Sequence, residues 1–451
     1  MQKILNVMIK YFGINRAIGF ALVKRLWSVM ASPITILLIA SSLTKVEQGY
    51  YFTFASLLAL QVFFEMGLAT VISQFISHEF ASLSWGQRGE IVGIEDNKNR
   101  VLNILGNSLK WYSVCSVLLI VLLSVTGFIF FKDEANYGVS WGLPWLLAVL
   151  GVSINLLIVP FYAVISGSGD VASVNFRSLI GGILGSLLGW GVLFLGGGLY
   201  AIPAVIFGNI IVAIIYLSKI KPLLIVEGIN FTLNKVALEN PVSWRDEIWP
   251  MQWKIAVSWI SGYFIFQLFV PVLFKFHGPV VAGQMGMTLS VVNALQVICL
   301  IWPNSRMPEY GKFIAKNNWT DLDNLFRKTL KQSLEVCSLI IIAFLILILA
   351  LKNFSNLGDR FLPTWEIVLL LLSMVGQLLV TNWAMYMRAH KQEPMMSLSF
   401  IGALLTGFST LIFGYYFSSL GMILGFVLIT FLYAIPTTYK LFKKFKLSNH
   451  Y

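Results

Sequence analysis

The chain has 451 residues, of which 57% are hydrophobic and only 12% charged, and it carries a formal net charge of +12. That balance, with a mean hydropathy of +0.79, excludes a soluble globular protein and predicts an all-α polytopic membrane protein. Cys115, Cys299 and Cys337 each lie in an apolar run without pairing or metal-ligand spacing, so neither a disulfide framework nor a metal site is expected.

The N-terminal MQKILNVMIKYFGINR is basic like a signal n-region, but no small-residue cleavage site follows the first apolar run. That run is read as a retained transmembrane helix. A bilayer core of about 30 Å takes roughly 20 apolar residues per helix. Twelve stretches meet the requirement: 17–43, 50–77, 107–131, 142–165, 178–196, 199–218, 252–275, 281–303, 334–351, 365–387, 395–417 and 420–438. The tightest separations are GGGLY at 196–200 and FSSLG at 417–421, where Gly and Ser supply the breaks.

Lys and Arg in short loops favour the cytoplasm. With the N-terminus inside, 27 of the basic residues fall in inner segments, and only Lys45, Lys132, Lys275, Lys352 and Arg360 remain outside. Both termini are therefore expected in the cytoplasm. The positive charge follows from this topology and calls for no nucleic-acid partner.

The longest inner connection, near 219–251, separates six spans from six. The expected organisation is a six-helix lobe over 1–230, a cytoplasmic linker over 231–251 and a second six-helix lobe over 252–451. The halves are weakly alike: Lys24, Trp27, Pro33 and Gly49 in the first are echoed by Lys254, Trp259, Pro271 and Gly283 in the second. Such internal repeats are a transporter signature.

No phosphate loop, nucleophile elbow or metal-ligand cluster occurs, and His78, His277, His390 and His450 fall at predicted loop edges or the terminus. The outer loops are short, the longest being 352–364. The expectation is a carrier rather than an enzyme, without a cofactor. Trp141, Trp145, Trp244, Trp249 and Trp365 sit at predicted interfaces and read as an aromatic belt.

The ionisable residues in apolar surroundings are Lys24, Arg25, Glu65 and Lys254. Such residues mark functional positions by default. On straight helices rising about 1.5 Å per residue, Glu65 and Arg25 reach nearly the same depth. Glu65 is then either the partner of Arg25 or Lys24 or a direct participant in transport. Asn293 and Gln296 share a helix face, where they would either line a polar cavity or bond to a neighbouring helix.

LTKVEQGYYFTF followed by FFEMGL, together with AGQMGMTLSVVNALQVICLIWPNSRMPEYGKFIAKNN and SGSGDVASVNFRSLIGG, resembles polysaccharide flippases of the Wzx type. Their superfamily also contains multidrug exporters of the same length. The resemblance implies two six-helix lobes around a central cavity in the inner membrane. It implies transport of a polyprenyl-diphosphate-linked oligosaccharide, with membrane lipids and glycan-assembly proteins as partners. A diphosphate suits cations, so the implied substrate contacts are Lys24, Arg25 and Lys254, with Asn293 and Gln296, and Glu65 serves in coupling or in a structural pair. The alternative is a cation-coupled multidrug exporter, although the first span lacks the acidic residue those exporters tend to carry there.

Overall fold

The computed structural model describes residues 16–132, 137–233, 242–390 and 394–450. Nine helices among these residues are long and apolar enough to cross a membrane. Two further crossings are helix pairs bent at a short break: α2 (Lys45–Glu65) with α3 (Leu68–Ser82) at 41°, and α9 (Trp244–Phe266) with α10 (Phe269–His277) at 42°. The longest apolar segment, Met396–Asn449, has 54 residues and would stretch about 80 Å as one helix. Ser418, with φ 56 and ψ −146, interrupts it within FSSLG. That break falls where a boundary between two spans was expected; by length and composition the described residues hold nine candidate spans, or up to eleven with each bent pair as one, against the expected twelve.

The remaining helices of the first half are α1 (Arg16–Ser42), α4 (Glu95–Phe131), α5 (Gly142–Gly167), α6 (Val171–Phe194), α7 (Ala201–Ile220) and the short α8 (Pro222–Leu233). Those of the second half are α11 (Pro279–Cys299), α12 (Ile301–Ala315), α13 (Trp319–Phe354), α14 (Thr364–Arg388), α15 (Met396–Leu428) and α16 (Ile435–His450). Outward-facing side chains on α1, such as Leu22, Leu26, Met30 and Leu37, are exposed and apolar. In a bilayer they face lipid, which is why composition alone identifies the class.

The chain forms two compact units: residues up to Leu38 with Leu58–Trp259, and Ile39–Leu57 with Ile260–Tyr451. These boundaries differ from a cut at 231–251, of which 234–241 lies outside the described residues. The reason is local packing. The first arm of α2 lies against α11, where a Cβ on Gly286 would stand 2.3 Å from Phe52, so 39–57 joins the second unit. The start of α9 lies against the α2–α3 break, so residues through Trp259, Lys254 among them, join the first.

In the first unit, α6 and α7 approach along Gly181, Gly185 and Gly189; a Cβ on Gly185 would stand 2.7 Å from the Val205 carbonyl. Small residues at four-residue spacing let backbones close in without water to drive them together. Helix α4 begins twelve residues before the expected span, and its added turns are held by ion pairs. Arg100 meets Glu79 at 2.8 Å and Glu247 at 3.1 Å, and Lys98 meets Glu227 of α8 at 3.1 Å.

An element the sequence reading did not anticipate is a hairpin, β1 (Leu83–Trp85) with β2 (Ile91–Gly93), paired antiparallel with Ser84 opposite Val92. Gly89, at φ +79, supplies the left-handed turn residue. The Trp85 indole donates to Ser168 Oγ at 2.9 Å, and the Lys221 ammonium lies 3.6 Å from its ring centre. The second unit is closed at one end by an aromatic cluster of Tyr310, Phe326, Trp383 and Tyr386.

Candidate functional site

Helix α1 is bound to α6 along one stripe. Asn175 Nδ2 donates to the Ala17 carbonyl at 3.1 Å, Phe20 and Phe176 rings lie 5.0 Å apart, and Trp27 and Trp190 rings 6.0 Å apart. Trp190 Nε1 donates to Thr35 Oγ1 at 2.8 Å. Lys24 lies four residues after Phe20 and three before Trp27, so it shares this stripe. It accordingly lies within electrostatic range of Arg177 on α6 as well as of Arg25.

Arg177 stacks on the Tyr162 ring of α5, with its guanidinium carbon 4.3 Å from the ring centre. Both line a 440 Å³ recess with Thr70, Gln74, Asn155 and Ser166. Arg177 Nε and Trp27 Nε1 are buried donors without a hydrogen-bond partner. No carboxylate pairs with Lys24, Arg25 or Arg177 among the described residues. The arrangement offers cations, unpaired N–H groups and amide and hydroxyl side chains, which is a setting for an anionic group carried on a polar body.

Glu65 does not meet the expected partners. No ion pair joins it to Arg25 or Lys24 among the described residues. The depth comparison assumed straight neighbouring helices. Instead α1 lies on α6, and the second crossing breaks immediately after Glu65: Met66 and Gly67 both take left-handed conformations, with φ 45 and φ 66. Gln252 Nε2, on α9, donates to the freed Met66 carbonyl at 2.8 Å. Gly67 is needed twice, because a Cβ there would also stand 2.5 Å from Ile255 Cγ2. Glu65 acts electrostatically on Tyr112, whose buried hydroxyl lies beside the Ala69 backbone.

Lys254 is exposed on α9 and belongs to the same compact unit as Lys24 and Arg25, which changes the expected distribution of one cationic position per half. Asn293 is exposed and Gln296 partly buried on α11, and neither side chain bonds to a neighbouring helix among the described residues. Lys24 and Arg25 are neighbours in sequence; what the structure adds is Arg177 within electrostatic range of Lys24.

Arg177 was missed as a site residue because the fifth span was expected to begin at 178. Asp170 caps the helix, its carboxylate accepting from Ser173 N at 3.3 Å, and starts it at Val171. An N-capping Asp after SGSG was the available signal.

No protein-family model and no curated protein matches the chain. Among solved structures, it resembles a multidrug resistance MATE family transporter of the MOP superfamily in its inward-facing conformation. The TM-score is 0.60 and the identity 15%, over 94% of this chain and 99% of that one. The outward-facing conformation of a multidrug resistance MATE family transporter gives 0.54 at 14% identity, over 96% of each chain. A MOP superfamily transporter from Pyrococcus furiosus Vc1, for which reverse polarity of the binding pocket suggests a different function, gives 0.54 at 13% identity, again over 96% of each. At these identities the likeness concerns the fold: this chain has the all-α membrane fold of the MATE-type transporters.

Proposed function

We propose that this chain is an exporter of the cytoplasmic membrane, with both termini inside, that moves amphipathic solutes bearing an anionic group. Two observations support transport: the fold shared with multidrug transporters, and the two crossings built from broken helices, a device that exposes backbone polar groups to a cargo or coupling ion. Between the two kinds of cargo considered, small amphipathic drugs and a lipid-linked glycan, the fold comparison favours the drugs. Glu65, a carboxylate without a cationic partner beside a helix break, suits coupling to a proton or another cation.

The observation that carries the charge of the cargo is the group of Lys24, Arg25 and Arg177 with no facing carboxylate. It favours an anion over the cationic dyes and drugs an acidic pocket would select. The same group supports a second reading, in which the cargo is a polyprenyl-diphosphate-linked oligosaccharide. The amide and hydroxyl lining around Arg177 suits sugar hydroxyls as well as it suits drugs.

The test is made in cells lacking the chain and complemented with wild type or Arg177→Ala. Accumulation of anionic and cationic fluorescent amphiphiles is measured beside surface glycan and its lipid-linked precursor. Lower accumulation of anionic dyes with wild type supports the exporter; restored glycan and a cleared precursor support the flippase. In either case Arg177→Ala weakens transport about tenfold at equal protein level, as expected for one charge-assisted contact. Selective extrusion of cationic dyes, unaffected by Arg177→Ala, would overturn the anionic assignment.

A further inference from the structure

Three of the five basic residues that the charge count assigns to the outer side gather at one place. Lys45, Lys352 and Arg360 line a 690 Å³ polar recess with Asn353, Ser355 and Asn356. It lies where α13 ends, within the second compact unit, and Asp359 is its one carboxylate among the described residues. Three cations and one acid line the recess, while Glu47 acts on Arg360 and Glu366 on Lys352 from outside its lining.

The hydrogen bonds leave donors unused. Lys352 Nζ gives one bond, to the Leu362 carbonyl at 2.7 Å, and an ammonium has three N–H groups. Arg360 reaches Gln48 Oε1 only at 3.4 Å, and a guanidinium has five. Lys45 is held by Asp359 at 2.9 Å, but the two side chains are 47% and 68% exposed, so water screens the pair and a competing anion displaces it easily. The Lys45 ammonium holds the Asp359 carboxyl below the usual carboxylate range, so the acid is ionised and competes for the site at neutral pH.

The surrounding backbone is fixed in place. Ser355 Oγ accepts from Leu357 N at 3.1 Å, Gln284 Nε2 donates to the Asp359 carbonyl at 2.9 Å, and Gln48 Nε2 donates to the carbonyls of Gly283 at 2.8 Å and Arg360 at 3.0 Å. Gly358 packs on the Lys352 backbone so closely that a Cβ would stand 2.5 Å from Lys352 Cα. The cations are thus presented from fixed backbone, Lys45 at the start of α2, Lys352 in the last turn of α13 and Arg360 in the loop that follows, and little ordering is left to offset binding. Phe354, 89% exposed, is an apolar neighbour of the recess.

The geometry points to a binding site for a phosphate or diphosphate group, formed by Lys45, Lys352 and Arg360 at the outer ends of the second unit's helices. The group comes from a lipid headgroup in the adjoining leaflet or from free phosphate in solution. This site shares no residue with the Arg177 recess and does not depend on which cargo the exporter carries.

The test uses the full chain in phosphatidylcholine nanodiscs, titrated with inorganic pyrophosphate and followed by ³¹P line broadening and thermal stability. Binding is expected to saturate, to weaken about tenfold in Lys45→Ala and to tighten in Asp359→Asn, which removes the competing carboxylate. Both altered side chains are exposed, so the variants are expected to fold. Replacing part of the phosphatidylcholine with phosphatidic acid separates the sources. Loss of pyrophosphate binding there identifies a headgroup site, unchanged binding a site for free phosphate, and each supports the proposal. Binding that never saturates, or that is the same in Lys45→Ala and Asp359→Asn as in wild type, overturns it.

Discussion

Gly49 and Gly283 meet backbone to backbone, so that a Cβ built on Gly283 would stand 2.9 Å from the Gly49 amide nitrogen. These are the positions that the sequence matches as equivalents in the two halves. Their meeting joins α2 to α11 inside the second compact unit, and a neighbouring bond, Gln48 Nε2 to the Gly283 carbonyl at 2.8 Å, closes the crossing. The repeat therefore serves packing at this point: a Cβ on Gly283 would meet the Gly49 backbone, and a Cβ on Gly49 would meet the start of α11 at Pro279.

Gly49→Ala places a Cβ 2.0 Å from the Pro279 carbonyl oxygen, an obstacle that no rotamer change removes. A cost of about 1–3 kcal/mol or more is expected from such overpacking, seen as a lower melting temperature and reduced yield in detergent. Gly182, with nothing within 4 Å of its Cβ position, is the control. Gly182→Ala should match wild type or exceed it slightly through better helix propensity. Equal melting temperatures for both variants would remove the crossing from the structure's stabilising contacts.

The break after Glu65 makes a second expectation. Gln252→Leu leaves the Met66 carbonyl without its 2.8 Å donor, and an unpaired buried acceptor costs about 1–3 kcal/mol. Gly67→Ala forces a Cβ into a left-handed residue and against Ile255, so it should be the more damaging of the two. Melting temperatures of the purified variants, read beside transport, check the order. If Gln252→Leu melts as wild type does, the amide is no cap for the break.

Composition and turn residues made the membrane class and the break at Ser418 legible, because each rests on runs of many residues or on Gly and Ser at a turn. The features that were not legible each turn on one or two residues. A hydropathy run passes over Met66 and Gly67 without a dip, since a left-handed kink changes backbone direction and leaves apolarity unchanged. LSWGQRGEIVG reads as a polar loop until the pairing of Ser84 with Val92 fixes its register. The joining of Lys24 to Arg177 depends on α1 lying against α6, a pairing between elements far apart in the chain that local periodicity does not encode.

Glu65 and Arg25 supply the last expectation, and it reverses the one that matched depths suggested. With no ion pair to the carboxylate among the described residues, Glu65→Gln and Arg25→Gln should act additively on melting temperature, because sites without a shared partner do not couple. Removing a lone, partly buried charge should leave stability unchanged or raise it, whereas breaking a true buried pair costs about 3–5 kcal/mol. Tyr112 lies within electrostatic range of Glu65, so Glu65→Gln and Tyr112→Phe should be non-additive. Transport is expected to respond differently from stability. If Glu65 serves coupling, Glu65→Gln folds as well as wild type yet loses the dependence of export on the transmembrane pH gradient. A marked fall in melting temperature that Arg25→Gln restores would bring back the ion pair and remove Glu65 from coupling.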